Sequence, residues 1–524
     1  MTNSMSEIKH NDVILVIGSN TTETHPIIGL EMKKAIRNGA KLILVDPRKI
    51  ELSKWAHIHL QLRPGTDVAL LNAMMHEIVS QGLTNQAFIN ARTQGFEEFQ
   101  ETLSGYTPEY GEEISGVPGD KIREAASLYA RGGHPGIYYT MGITQHTHGT
   151  DNVFAIANLA LMTGNLGRRY TGVNPLRGQN NVQGSTDMGC IPGFYPGYQS
   201  VSVPGVRQKF ERAWKTELAS QPGKTATDMT ESAINGDLKA LYIKGENPVL
   251  SDPDIKHTAR ALKNLDLLVV QDIFLTETAE LADVVLPAAC FAEKNGTFTN
   301  TERRVQRVRK AVDPPGEARD DSWIISQLSR RLGYDMQYEN QEEVFKEAGQ
   351  VWPALAGMDY TRIDETGLQW PCPTRDHPGT PYLFKGGFPK AQPAFTPVHY
   401  RASEEVVDEE YPLILTTGRE LLQYHTGSMT RRVEAINKAL AGPYIEIHPE
   451  DAKGAGIENG QMIRVVSRRG EIDIVALVSD RPVQGTVFIP FHFKEAAANM
   501  LTNTALDPIA KIPELKVCAV RIQP

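Results

Sequence analysis

Apolar residues in this chain fall into short unbroken runs separated by amphipathic stretches, the pattern of buried strands alternating with helices. From Asp12 the chain runs VILVIGSN, a buried strand ending in the turn Gly18-Ser19-Asn20. A helical period covers Pro26 to Arg37, and a second strand, Lys41 to Val45, ends at Asp46-Pro47-Arg48. This is a βαβ unit with an acid at the end of its second strand, where nucleotide-binding sheets often hold a ribose or base edge. No GxGxxG is present, so the motif alone supports NAD only weakly. The turn Leu62 to Asp67 can cap a helix beginning VALLNAMMHEIV, and free N–H groups at such an end suit phosphate or carboxamide oxygens. Helical patterns follow at Asn85 to Arg92 and Gly119 to Ala130, then a strand at Gly136 to Thr140, a polar loop from Met141 to Gly149 and a helix from Asp151 to Leu161.

Gly172 to Gly189 then breaks the pattern. GVNPLRGQNNVQGSTDMG has neither a 3.6-residue nor a two-residue apolar period, so it reads as loop. Its density of Arg177, Gln179, Gln183 and Asp187 exceeds what a connector needs and points to a polar binding surface. This loop and the one at Met141 bracket a single helix, which places both at one sheet edge.

A second βαβ rhythm follows a helix expected around Arg207 to Ala219. Strands are expected at Ala240 to Lys244, ending in Gly245-Glu246-Asn247-Pro248, at Leu265 to Val270, closing at Gln271-Asp272, and at Asp283 to Leu286. A helix lies between the first two, from Asp254 to Leu262. Two facing α/β domains would form a cleft. Arg303, Arg304, Arg307 and Arg309 cluster within Glu293 to Arg309; on a helix face they would be solvated or paired charge, or a phosphate or partner contact. Asp320 to Leu332 is an amphipathic helix. Prolines accumulate from Pro371 to Pro397 and an acidic run follows from Glu404 to Glu410, the composition of a linker. Beyond it, Leu413 to Thr417, Met462 to Ser467, Glu471 to Val478, Thr486 to Pro490 and Val517 to Ile522 are short strands consistent with a compact β-barrel. The expected organisation is α/β: a first α/β domain over 1–178, a second over 179–370, a linker at 371–410 and the barrel at 411–524.

Composition narrows the class. The 54 basic and 63 acidic residues give a net charge of −9, and no basic block or aromatic-interleaved stripe favours nucleic acid. No apolar run approaches the roughly 20 residues of a membrane span, and MTNSMSEIKH lacks a signal-peptide core, so a soluble, cytoplasmic protein is expected. Cys190, Cys290, Cys372 and Cys518 are scattered singly; spacing builds no disulfide framework or iron–sulfur site, and small buried thiols are expected. His146 and His148 lack a nearby third ligand, so hydrogen-bonding loop histidines are favoured over a metal pair.

These stretches together resemble the catalytic alpha subunit of molybdenum- or tungsten-dependent formate dehydrogenases, within the molybdopterin-guanine-dinucleotide oxidoreductases. The motifs that carry the resemblance are VIGSNTTETHP, VDPRKIELSKWA, LRPGTDVALLNAM, MGITQHTHGTDNV, LMTGNLGRRYTGVNPLRGQNNVQGSTDMG, IKGENPVLSDPD, VVQDIFLTETAELADVVLPA, TTGRELLQYHTGSMTRR and PELKVCAVRI, in the family order. The resemblance implies two α/β domains enclosing a cofactor cleft, a C-terminal barrel, two molybdopterin guanine dinucleotides and a Mo or W centre. By it, Arg177 holds the formate carboxylate and Gln179 lies beside it at the metal. Gly18, Asn20, Asp46, Gly65 and Asp67 match pockets for one guanosine; Met141 and Gln145 match residues along a pterin. Gly245, Asn247, Pro248 and Asp272 match positions in the second α/β domain, and Thr417, Arg419, His425, Ser428, Asn499 and Lys516 match positions in the barrel.

The implied reaction is two-electron oxidation of formate to CO2, or its reverse, with iron–sulfur or other electron-transfer subunits as partners. Family members also carry an N-terminal region with a [4Fe–4S] site, a lysine between cluster and pterin, and a selenocysteine or cysteine metal ligand beside a histidine. None of these has a counterpart here, so no metal ligand is assigned in this chain. A truncated product or gene model is expected, with an upstream in-frame UGA codon as its origin, and this polypeptide alone is expected to be inactive. The alternatives are another molybdopterin enzyme of the nitrate reductase type, or a silent cofactor-binding scaffold.

Overall fold

The computed structural model describes residues 1–389, 391–440 and 442–524. The chain forms two compact units: Met1–Leu176 with Leu250–Lys256 and Tyr382–Pro524, and Arg177–Val249 with His257–Pro381.

The first unit is built on a parallel sheet of β1 (Val13–Ile17), β2 (Lys41–Val45), β3 (Ile58–Leu60), β4 (Pro135–Tyr139) and β5 (Gly172–Pro175), in the order β3-β2-β1-β4-β5. Val13, Leu15 and Ile17 pack on one face against the helices Asp67–Ser80 and Gly149–Met162. Ile14 and Val16 pack on the other against Ile28, Met32 and Ala35 of the helix Pro26–Arg37. Burial on both faces explains why β1 is an unbroken apolar run rather than an alternating one. Each such fully buried side chain contributes about 1.5–3 kcal/mol. Chain order reverses between β1 and β4, so the crevice at their carboxyl ends is the topological switch point where open α/β sheets take ligands.

The same unit carries a closed six-stranded barrel, with Leu413–Gly418, Thr486–Pro490, Tyr444–Ile447, Glu471–Val478, Met462–Ser467 and Cys518–Gln523 neighbouring one another in that order. Val465, Ile474, Val487 and Val520 help fill its interior. The Tyr444–Ile447 strand escapes the sequence reading because four residues leave little period to detect.

The second unit holds a parallel three-stranded sheet of Ala240–Lys244, Leu267–Asp272 and Val284–Pro287. Ile243, Leu268 and Val270 pack with Leu262 and Ala279 on one face of it.

Four expectations change. Gly172 to Gly189 is not simply loop: Gly172–Pro175 pairs with β4, and Val182–Asp187 is a helix. A sheet partner and the buried contact from Asn3 N–H to Asn174 Oδ1 (3.2 Å) supply what an apolar period could not. Residues 293 to 309 are not helical over the arginine cluster; Gly296–Thr299 and Arg304–Val308 form an antiparallel hairpin. Its turn residue Arg303 has φ +68° and is buried, with Thr380 O accepting from it at 3.1 Å. The stretch read as linker is divided: 371–381 lies in the second unit, and 382–410 in the first. There Phe395 and Val398 enter the core, and Glu405 and Glu410 pair with Arg468, Arg469 and Arg521 of the barrel. Of the cysteines, Cys372 and Cys518 are buried, but Cys190 is exposed and Cys290 half-buried. Among the described residues no helix is long and apolar enough to cross a membrane.

Candidate functional site

In the first unit the sheet's switch point is closed by two glycines in backbone contact. Gly18, φ +56°, accepts through its carbonyl from Gly142 N–H (3.1 Å) and Thr140 Oγ1 (2.7 Å). A Cβ on Gly18 would lie 2.8 Å from the Gly142 carbonyl carbon, so side chains are excluded from the crossing. Met141–Thr144, expected as loop, forms one helical turn at this point; Met141 is exposed and Gln145 half-buried. The amide nitrogen of Asn20 is buried with no partner among the described residues, a donor awaiting an acceptor.

Asp46 follows β2 and accepts from Arg48 N–H at 2.9 Å; burial raises its carboxyl to about 6, against the pull of Arg48, Lys516 and Arg481. Asp67 opens the helix after Gly65, and burial raises it to about 7, with Asp46's negative charge adding to the rise. A side chain on Gly65 (φ +83°) would meet Ser403 Oγ at 2.7 Å. Two neighbouring carboxyls offer acceptors that suit the donor-rich edge of a purine. His146 and His148 stack at 5.2 Å between ring centroids, and burial holds them neutral, at about 3 and about 4. The Nε2 of His146 contacts Gly142 O at 2.9 Å, the hydrogen-bonding role expected of it.

The barrel places Thr417, Arg419 and Lys516 in the same unit. Lys516 Nζ donates to Thr417 O at 2.6 Å, and Thr417 Oγ1 donates to Leu515 O at 2.8 Å. Burial, with the charge of Arg419 adding to it, lowers the Lys516 ammonium to about 7. Arg419 is depressed chiefly by burial and has no carboxylate partner among the described residues. Two cations held together without a paired carboxylate among the described residues fit the phosphates of a dinucleotide. His425, φ +49°, is also held neutral by burial, at about 4, and its carbonyl accepts from His492 Nδ1. Ser428 Oγ pairs with Thr426 Oγ1 at 2.9 Å. Asn499 donates to Leu250 O and Ser251 O at 2.9 and 3.0 Å, so its amide nitrogen holds the last carbonyls of a helical turn.

In the second unit Arg177 is fixed at both ends. Its N–H donates to Thr301 Oγ1 at 3.0 Å and its Nε to Gln183 Oε1 at 3.1 Å. Gln183 rather than Gln179 is thus the glutamine bonded to Arg177 Nε, and Gln179 lies half-buried in the turn before it. Gln183 in turn donates to Asp187 Oδ1 at 2.7 Å, while Tyr198 and Trp370 also donate to Asp187. Sequence reasoning noted Gln183 and Asp187 only as polar density; their i, i+4 spacing is the signal that pairs them, once the helix is known. It missed Tyr198, beyond the end of that helix, and Trp370, which is distant in sequence. Gly245 (φ +65°) ends the first strand of the three-stranded sheet, with nothing within 4 Å of where a Cβ would stand. Beside it Asn247 Oδ1 accepts from Thr278 Oγ1 (2.7 Å) and its Nδ2 donates to Glu277 Oε2 (2.9 Å). Buried Pro248 begins the next turn, and Asp272 caps Ile273 N–H at 2.7 Å. Asn247 and Asp272 therefore shape the strand-end loops. Among the described residues no group of three or more His, Cys, Asp or Glu side chains is arranged to hold a metal.

Residues 1–331 match the family model described as Molybdopterin oxidoreductase, and residues 413–519 match the Molydopterin dinucleotide binding domain. The F420-dependent formate dehydrogenase subunit alpha of Methanocaldococcus jannaschii is 52% identical over 527 residues, covering 100% of this chain and 78% of that protein. Formate dehydrogenase H of Escherichia coli is 42% identical over 531 residues, covering 100% of this chain and 74% of that protein. Acetylene hydratase from Pelobacter acetylenicus superposes with a TM-score of 0.76 over 99% of this chain and 80% of that one, at 20% identity, a likeness of fold.

Proposed function

This chain belongs to the molybdopterin oxidoreductases of the formate dehydrogenase type, and we propose that it binds formate at Arg177 and supports its two-electron oxidation to CO2, or the reverse. The observation that carries the reading is the immobilised Arg177, whose backbone and Nε are both hydrogen-bonded within its own unit. A planar guanidinium oriented through Nε on an anchored backbone matches a small carboxylate.

Two molybdopterin guanine dinucleotides would be held by the residues named above. The crevice with Asn20, Asp46 and Asp67 would take a guanine and ribose, with Arg419 and Lys516 at phosphates; Met141 and Gln145 would lie along a pterin, and Gly245 would leave room for close approach. When bound, the pterin-held molybdenum or tungsten supplies the acceptor for the hydrogen and two electrons that leave the formate carbon. The chain's own contribution is positional and electrostatic. Arg177 neutralises the carboxylate and fixes its plane, and Gln179 lines the same loop. Loss of the carboxylate's charge on forming CO2 weakens the contact with Arg177, which favours product departure. An iron–sulfur or other electron-transfer subunit would receive the electrons; no residue of 1–524 is assigned to ligate a cluster.

The test is the holoenzyme purified from cells that produce it, assayed with formate and a viologen dye. Formate-dependent dye reduction with release of CO2 is expected. Failure of formate to reduce the dye, together with nitrate-dependent reoxidation of chemically reduced dye, would overturn the assignment.

A further inference from the structure

We infer that Asp187, acting through Gln183, is a positioning residue that sets the orientation of the Arg177 guanidinium; this rests on the formate reading above. Asp187 is fully buried at 0% exposure and forms no ion pair among the described residues. Its carboxylate instead collects three neutral donors: Gln183 Nε2 at 2.7 Å and Tyr198 Oη at 2.8 Å on Oδ1, and Trp370 Nε1 at 2.7 Å on Oδ2. Burying an ionisable group is costly unless its hydrogen bonds are filled, and these fill them.

The consequence falls on Gln183. An amide has one donating and one accepting end, and nothing intrinsic decides which faces which neighbour. Here the carboxylate takes the donating end, and the accepting end is left to receive Arg177 Nε–H at 3.1 Å. The reversed amide would set its oxygen against the carboxylate and its N–H against the guanidinium N–H, two repulsions in place of two hydrogen bonds. Gln183 and Asp187 lie one turn apart on the helix Val182–Asp187, which keeps the relay in register. Thr301 Oγ1 holds the backbone N–H of Arg177, so the side chain leaves from an anchored main chain and Gln183 orients the guanidinium through Nε.

An asparagine at 187 has nearly the same shape but only one accepting atom. Turned to accept from Gln183 and Tyr198 it sets its NH2 against Trp370 Nε1–H, and turned to accept from Trp370 it sets its NH2 against the donating end of Gln183, so the hold on the polarity of Gln183 is weakened. The experiment is steady-state formate oxidation by the holoenzyme, with metal and pterin content measured alongside. Asp187→Asn and Gln183→Leu are each placed in the wild-type and the Arg177→Lys background. Either change is expected to lower kcat/KM for formate about tenfold in the wild-type background and by less than about twofold in the Arg177→Lys background, because a point charge has no plane to orient. Asp187→Glu, which keeps the acceptor, is expected to recover part of the loss. Equal losses in both backgrounds, or kcat/KM unchanged by both substitutions, would overturn the positioning role; Gln183→Leu gives the same reading if Asp187→Asn does not fold. Absence of formate turnover in the wild-type holoenzyme is a separate result and would sink the reaction assignment itself.

Discussion

Arg48 donates through Nε to Glu446 Oε2 at 2.9 Å, joining the end of β2 to the barrel strand Tyr444–Ile447 across 398 positions of sequence. Its Nη2 lies 2.8 Å from the same oxygen, and its guanidinium stacks on the Phe488 ring at 3.3 Å. Arg481 Nη1 donates to the other oxygen of Glu446 at 2.6 Å. Glu446 is fully buried, so its charge is tolerated only while both arginines remain. Arg48→Met should therefore destabilise the first unit by about 3 kcal/mol, the usual cost of stranding a buried charge. The denaturant midpoint of the ligand-free chain reads this directly. Arg48→Met combined with Glu446→Gln should recover part of the loss, and an unchanged midpoint in the single variant would contradict the role given to the pair.

If Lys516 holds a phosphate as proposed, nucleotide binding is proton-linked. Its ammonium is depressed from 10.5 to about 7, so it favours the ligand-free fold above pH 10.5, and that contribution is lost as pH falls toward about 7. A phosphate beside it stabilises the charged form, so binding at pH 8 to 9 must take up a proton. With guanosine diphosphate as probe, titration calorimetry in buffers of different ionisation enthalpy should show uptake of up to about one proton at pH 8, absent in Lys516→Met. Affinity should fall by up to about tenfold per pH unit above 7. No buffer dependence in the wild-type chain would exclude Lys516 from the phosphate site.

Much of this was legible in the sequence, and the parts that were not share a cause. Pro26–Arg37, Lys41–Val45 and the strands Met462–Ser467 and Glu471–Val478 match the expected bounds because burial imposes a local period on them. Gly172–Pro175 pairs with β4, and Arg304–Val308, besides its hairpin partner Gly296–Thr299, pairs with Leu368–Gln369; a local pattern carries no record of such distant partners. The same holds for the polar groups. The resemblance named Arg177, but Trp370 and Tyr198 reach Asp187 only through tertiary structure, and nothing local to Arg48 announces Glu446.

The two strand-end glycines should respond differently to alanine. Gly18→Ala forces a Cβ to 2.8 Å from the Gly142 carbonyl carbon, where only backbone could yield, in addition to the positive-φ penalty of about 1 kcal/mol. Gly245→Ala meets nothing within 4 Å and carries the positive-φ penalty alone. Gly18→Ala should thus lower the melting temperature clearly more than Gly245→Ala and weaken guanosine diphosphate binding at least about tenfold by opening the switch-point crossing. Equal effects of the two substitutions on stability would show that the contact of Gly18 with Gly142 contributes little.

Arg177→Lys tests the assigned substrate contact. Lysine keeps the charge but loses the planar fork and the Nε donor to Gln183, so a carboxylate would be held by a mobile point charge. Loss of an oriented, charge-assisted contact is worth about 2–3 kcal/mol, which corresponds to a fall in kcat/KM for formate of about 30- to 150-fold. Arg177 sits in the loop before the helix Val182–Asp187, and the cofactor residues proposed above do not include it, so metal and pterin content should remain near wild type. The measurement is formate kinetics of the holoenzyme variant normalised to its metal content. Wild-type kinetics in the variant would remove Arg177 from the substrate site, whereas a parallel loss of metal and pterin would reassign it to holding the cofactor.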